Sequence, residues 1–162
     1  MNTAQDNSMA ALSFRNASAS HAADLLMKGY TCSESVVMAF ANEFDLDPEI
    51  ATRISGGFAG GMAQGKTCGA VTGAIMVIGL KYGAGLGRDR YSKELCYQIT
   101  QEFSHRFMTR RKSLECGEIL AMNDINPSDP EAMKGLRDKG LCDRIVKDSA
   151  EILEELFSEE AA

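Results

Sequence analysis

Between Lys66 and Tyr82 the chain reads KTCGAVTGAIMVIGLKY, a stretch that is apolar on almost every side of a helix. A surface helix keeps a polar face, so this segment belongs at the centre of its fold with other elements wrapped round it. It does not reach the length of a membrane span. Its longest apolar run, Ala74 to Leu80, falls far short of the roughly 18 residues required. Gly69 and Gly73, with Ala70 and Ala74, set small residues four apart along the helix. Residues at that spacing share a face, which lets a neighbouring backbone come close.

The flanking sequence supplies helices for the wrapping. Ala17 to Lys28 carries Leu25 and Leu26 and stops at Gly29, a natural helix end. Thr31 followed by Glu34 has the spacing of a capping box, and the helix it opens sets Cys32, Val36, Ala39 and Phe40 on one face. Asp47-Pro48 starts a third helix, which runs into the glycine-rich GGFAGGMAQG. Arg88 to Lys112 predicts a long amphipathic helix with the stripe Tyr91, Leu95, Ile99, Phe103 and Phe107. A turn at Cys116 to Ala121, the loop MNDINPSDP and a short helix near Glu131 to Arg137 follow. The last helix, Leu141 to Phe157, aligns Cys142, Ile145, Val146, Ile152, Leu153 and Leu156. No segment alternates as a strand does. The expectation is an all-α, single-domain bundle of six to seven helices over residues 17–160, behind a disordered segment at residues 1–16.

A net charge of −6 and a pI near 5.0 speak against a nucleic-acid surface, which needs clustered positive charge. Arg106 and Arg110-Arg111-Lys112 form one basic group, read as complementing the negative end of their own helix. Glu151, Glu154, Glu155, Glu159 and Glu160 read as a solvated acidic tail. The N-terminal residues lack a basic stretch leading into an apolar one, so the expected compartment is the cytoplasm, where thiols stay reduced.

Residues Gly60 to Thr67, GGMAQGKT, match the phosphate-loop pattern G-x-x-x-x-G-K-[ST] letter for letter. That loop works only when a buried strand feeds it and a carboxylate at a second strand end helps hold magnesium. Here Pro48 to Ser55 reads as helix and no such strand follows. A glycine-rich turn between helices, delivering Cys68 to a site, is the reading that fits.

Five cysteines are present, Cys32, Cys68, Cys96, Cys116 and Cys142, an odd number that does not suggest a disulfide framework. Cys32, Cys68, Cys116 and Cys142 each fall near a predicted helix start, where unpaired N–H groups lower a thiol pKa. Cys96 lies mid-helix and reads as an incidental core thiol. Core packing is the competing account for each cysteine taken alone, and the intervals contain no C-x-x-C pair. His21 and His105 are read as helix-surface residues, although His21 lies within plausible reach of the Cys32 region as a ligand. No Ser-His-Asp set or HExxH is present.

The run Thr67-Cys68-Gly69-Ala70-Val71-Thr72-Gly73-Ala74 resembles the Cys-Gly-Ala-x-x-Gly signature of a bacterial family of redox-active proteins, C_GCAxxG_C_C. That family is defined by four cysteines in the order C…CGAxxG…C…C. Gly29-Tyr30-Thr31-Cys32 is similar to its Gly-Tyr-x-Cys start, and the similarity spans residues 18 to 158 or so. The resemblance implies that Cys68, Cys32, Cys116 and Cys142 form one redox site, with Cys68 the low-pKa nucleophile in a thiol version. In a metal version the same four would ligate an iron–sulfur cluster or zinc. Gly65, Gly69 and Gly73 are the accompanying candidates for holding a cofactor. The partner would be a redox protein or substrate of unspecified identity, and a homodimer through the small-residue helix or the glycine-rich turn is also considered. A helical ligand-binding or interaction module with inert, buried cysteines is the alternative from a different class.

Overall fold

The computed structural model describes residues 17–136 and 138–160, so the segment 1–16 expected to be disordered lies outside the described residues. Eight α-helices occur among the described residues, two of them short. They are α1 (Ala17–Met27), α2 (Cys32–Ala41), α3 (Pro48–Ser55), α4 (Gly69–Tyr82), α5 (Arg90–Arg111), α6 (Cys116–Ala121), α7 (Pro130–Lys134) and α8 (Leu141–Glu160). No strand is present among them, and the fold is a single all-α domain, as the periodicity predicts. The helix predicted at Glu131 to Arg137 is the shorter α7, opened by Pro130 with the Asp129 carboxylate accepting from the Glu131 N–H at 3.0 Å.

The apolar segment becomes α4 and packs against α2, α5 and α8. Ala70, Val71, Ala74, Val77 and Ile78 are fully buried there. The cover is not complete: on its last turn Leu80 is exposed, and a side chain added at Gly79 would meet open space. The helix also begins later than its apolar pattern predicts, at Gly69 rather than Lys66. Thr67 is drawn into an isolated antiparallel bridge with Glu115, which holds the chain extended up to Cys68. That single bridge is a long-range pairing with no periodicity to announce it.

Gly73 sets the spacing between α4 and α2. A Cβ there would stand 2.8 Å from the Ser33 carbonyl oxygen and 3.2 Å from the Val36 Cβ. The small-residue face considered above for a dimer contact is therefore occupied by α2 of the same chain. Below it, Ser33 Oγ donates to the Ser55 carbonyl at 2.8 Å, tying α2 to the end of α3. At the other side Ser149 Oγ of α8 donates to the Ala70 carbonyl at 2.6 Å, a buried bond into the first turn of α4.

Two surface readings change. Arg106, Arg110 and Arg111 do not simply end a helix but run along an acidic face of α8. Arg106 pairs with Glu159 at 2.8 Å, Arg110 with Glu151 at 3.0 Å and Glu155 at 2.6 Å, and Arg111 Nε with Asp148 at 2.6 Å. The pairs run in opposite residue order, so α5 and α8 lie antiparallel and the acidic tail is one side of an ion-pair ladder. The α5 stripe is also shorter than predicted. Phe103 and Phe107 are fully buried, whereas Tyr91 is 75% exposed, because the first turns of α5 bury no residue.

Between α3 and α4 the glycine-rich segment makes a left-handed turn. Gly60, Gly61, Met62 and Ala63 all have positive φ, with Met62 at 58° and Ala63 at 55°. A side chain in that conformation crowds the following carbonyl and costs roughly 1–2 kcal/mol per residue. Ala63 is exposed, so its methyl contributes little burial in return. Ala63→Gly is expected to raise stability by up to about 1 kcal/mol, measured by urea denaturation. A lower midpoint would show that the turn does not adopt this conformation in solution.

Candidate functional site

The four family-type cysteines all stand at helix starts. Cys32 is the first residue of α2, Cys68 the N-cap of α4, Cys116 the first residue of α6 and Cys142 the second residue of α8. They come from widely separated stretches, yet all four line one cavity of about 170 Å³. The rest of the wall is mainly apolar: Leu26 of α1, Ile119 and Leu120 of α6, Ile145 of α8, and Met133 and Leu136 around α7. Cys68 lies deepest, 5% exposed, and the other three are half-buried.

Local geometry explains how the sulfurs meet. Glu34 accepts from the Thr31 N–H at 2.8 Å, which opens α2 with Cys32 facing the cavity. The bridge of Thr67 with Glu115 aligns the strands of chain leading into α4 and α6. The Cys68 N–H donates to the Leu114 carbonyl, and the Cys116 N–H to the Lys66 carbonyl, both at 2.7 Å. Thr67 Oγ1 adds a bond to the Glu115 carboxylate at 3.1 Å. This bond also occupies the hydroxyl that a phosphate loop would turn toward magnesium, while Lys66 is exposed. Beside the bridge two glycines lie against each other, since a Cβ on Gly117 would stand 3.2 Å from the Gly65 carbonyl oxygen.

The glycines taken as cofactor contacts have other neighbours. None of Gly65, Gly69 and Gly73 lines the cavity. Gly65 packs near Gly117 and Gly73 packs under α2. Gly69 lies directly beneath the Cys32 sulfur, so that any side chain there would collide with it. The Cys32 sulfur therefore sits over the residue next to Cys68.

Burial, rather than helix polarity, governs the Cys68 and Cys116 thiols. Desolvation pushes the Cys68 thiol far above its ordinary range, and the neighbouring Cys32 raises it further. The Ala70 N–H, at the start of α4, acts in the opposite direction by hydrogen bonding to the sulfur. It is outweighed, and Cys116 and Cys142 add to the upward shift. The expected low-pKa nucleophile at Cys68 is thus corrected to a thiol held protonated, because an apolar cavity penalises a thiolate more than one helix start favours it. Cys116 is pushed up to about 11 by burial, then by Cys32 and by Glu115.

The protein family described as "Putative redox-active protein (C_GCAxxG_C_C)" matches residues 30–156, most of the chain. The chain belongs to this family. No curated protein and no solved structure matches it. In this member of the redox-active family the central motif reads Cys68-Gly69-Ala70-Val71-Thr72-Gly73, and all four motif cysteines reach the cavity.

Among the described residues no group of three or more His, Cys, Asp or Glu is arranged to hold a metal ion. The zinc expectation at Cys32, Cys68, Cys116 and Cys142 therefore finds no ready single-ion ligand set. His21 and His105 are exposed, and neither lines the cavity. Cys96 lies apart, in a cleft with Arg88, Lys93 and Tyr97. The sequence reading missed Gly117 and the cover from Met133 and Leu136. Gly117 had a signal, since Cys116-Gly117 repeats the dipeptide Cys68-Gly69.

Two outcomes follow from this geometry. Gly69→Ala forces the Cys32 sulfur or α2 to move and is expected to cost roughly 1–3 kcal/mol, read by denaturant unfolding. A neutral effect would mean that the two helices are not in contact at Cys32. Alkylation of Cys116 by iodoacetamide is expected to accelerate about tenfold per pH unit from pH 7 to 9.5, since only the thiolate reacts. A plateau below pH 9 would contradict the raised thiol.

Proposed function

We propose that this chain is a thiol-based redox protein in which Cys68 and its neighbours Cys32, Cys116 and Cys142 cycle between dithiol and disulfide. The observation that carries the reading is the convergence of these four cysteines, from four separate helix starts, on one cavity while Cys96 stays outside it. Inert core cysteines have no reason to collect in that way. Membership of a family described as redox-active points in the same direction.

Cys32 is the favoured partner of Cys68, because its sulfur rests on Gly69. Closing that pair breaks two S–H bonds and forms one S–S bond, and the oxidant takes two electrons and two protons. Both states of the site are neutral, which suits a low-dielectric surround. Exchange at such a site needs a thiolate only transiently, so its rate is expected to rise with pH.

The apolar cavity also supports a ligand-binding reading, and the two readings merge if the ligand is the oxidant or reductant. The test treats the reduced full chain with excess diamide at pH 8 under argon, then alkylates and maps the peptides. Disulfides among Cys32, Cys68, Cys116 and Cys142, with Cys96 still a thiol, are expected. Cys68→Ser should abolish the fastest-forming bond. Five thiols surviving the oxidant would refute the redox reading.

A further inference from the structure

The chemistry of the cavity wall narrows what can exchange electrons with it. Among the described residues, the thiols and the Tyr30 phenol are the ionisable side chains that line the cavity, with no Lys, Arg, His, Asp or Glu. Lys28, Lys66 and Lys134, close in sequence to lining residues, are exposed to solvent. A substrate that carries carboxylates or an ammonium group would lose its hydration there and gain no countercharge. An apolar molecule would instead bury its surface against Leu26, Ile119, Leu120, Met133, Leu136 and Ile145. A volume of about 170 Å³ is enough for a single-ring molecule, since an apolar cavity of about 150 Å³ holds benzene.

The reaction has to respect the same constraint. Charge left behind in the cavity is disfavoured, so electrons and protons must leave together. We infer that the site exchanges two electrons and two protons with an uncharged, apolar small molecule, through Cys68 and the neighbouring Cys32. This rests on the redox reading above and adds the substrate class to it. Two compounds share the required chemistry, a fully substituted quinone and a neutral cyclic disulfide. With the quinone, two S–H bonds break, the Cys68–Cys32 S–S bond forms, and each carbonyl oxygen gains one hydrogen to give the hydroquinone. With the cyclic disulfide, the ring S–S bond breaks and each ring sulfur gains one hydrogen as the protein S–S bond forms. Neither version leaves a net charge on the protein.

The test follows loss of protein thiols in the reduced full chain under argon at pH 7.5. Equal concentrations of three oxidants are compared: a fully substituted short-chain benzoquinone, lipoamide and glutathione disulfide. Mass spectrometry confirms that two hydrogens are lost and that no adduct forms. At least one uncharged oxidant is expected to react tenfold or more faster than glutathione disulfide; which of the two does so identifies the source. Met133→Lys, which places a cation on the half-buried wall, is expected to narrow that ratio at least threefold, with circular dichroism confirming the fold. Equal or faster reaction with glutathione disulfide would overturn the substrate class. A parallel diamide reaction separates the two failures: disulfide formation there leaves the redox reading standing, and its absence removes both.

Discussion

The contact on which the rest of the structure depends is the close approach of α2 to α4 across Gly69 and Gly73. At Gly73 two backbones meet with no room for a methyl group, and at Gly69 the space is taken by the Cys32 sulfur. One face of one helix thus performs two tasks. It draws α2 into the core, and it places one cysteine over the neighbour of another. A side chain at either position would separate the helices and open the inner wall of the cavity. The motif glycines therefore act through packing.

A second constraint sets the chemistry. Four helix starts point thiols into one cavity, and a helix start by itself favours a thiolate. The cavity is apolar and Cys68 is nearly closed off from water, so desolvation prevails and pushes the Cys68 and Cys116 thiols up. The two effects oppose each other within the same few ångströms. Cys68 and Cys116 there resemble neutral S–H groups more than primed nucleophiles. That character limits the molecules that the cavity can take.

Much of the fold was legible because helix periodicity is local. The apolar run around Gly73, the cap at Thr31 and Glu34, and the Asp47-Pro48 start each carry their structure in a few adjacent residues. The phosphate-loop letters could be set aside for the same reason, since no strand precedes them. What failed was long-range. The pairing of Thr67 with Glu115 shortens α4 and aligns the approaches to Cys68 and Cys116, yet nothing in either segment signals the other. The ion-pair ladder between α5 and α8 joins two charge runs that each read as solvated when taken alone.

By itself the sequence determined that the chain is helical and that the segment between Lys66 and Tyr82 lies at its centre, while its resemblance to a four-cysteine family singled out Cys32, Cys68, Cys116 and Cys142. The first two follow from helical periodicity and the third from motif order, and both survive without coordinates. Only the tertiary structure decided that the four sulfurs share an apolar cavity, that Cys68 is buried and protonated, and that Gly65, Gly69 and Gly73 pack against the chain itself. Burial and its cost to a charge depend on what surrounds a side chain, and that is assembled from segments far apart in sequence.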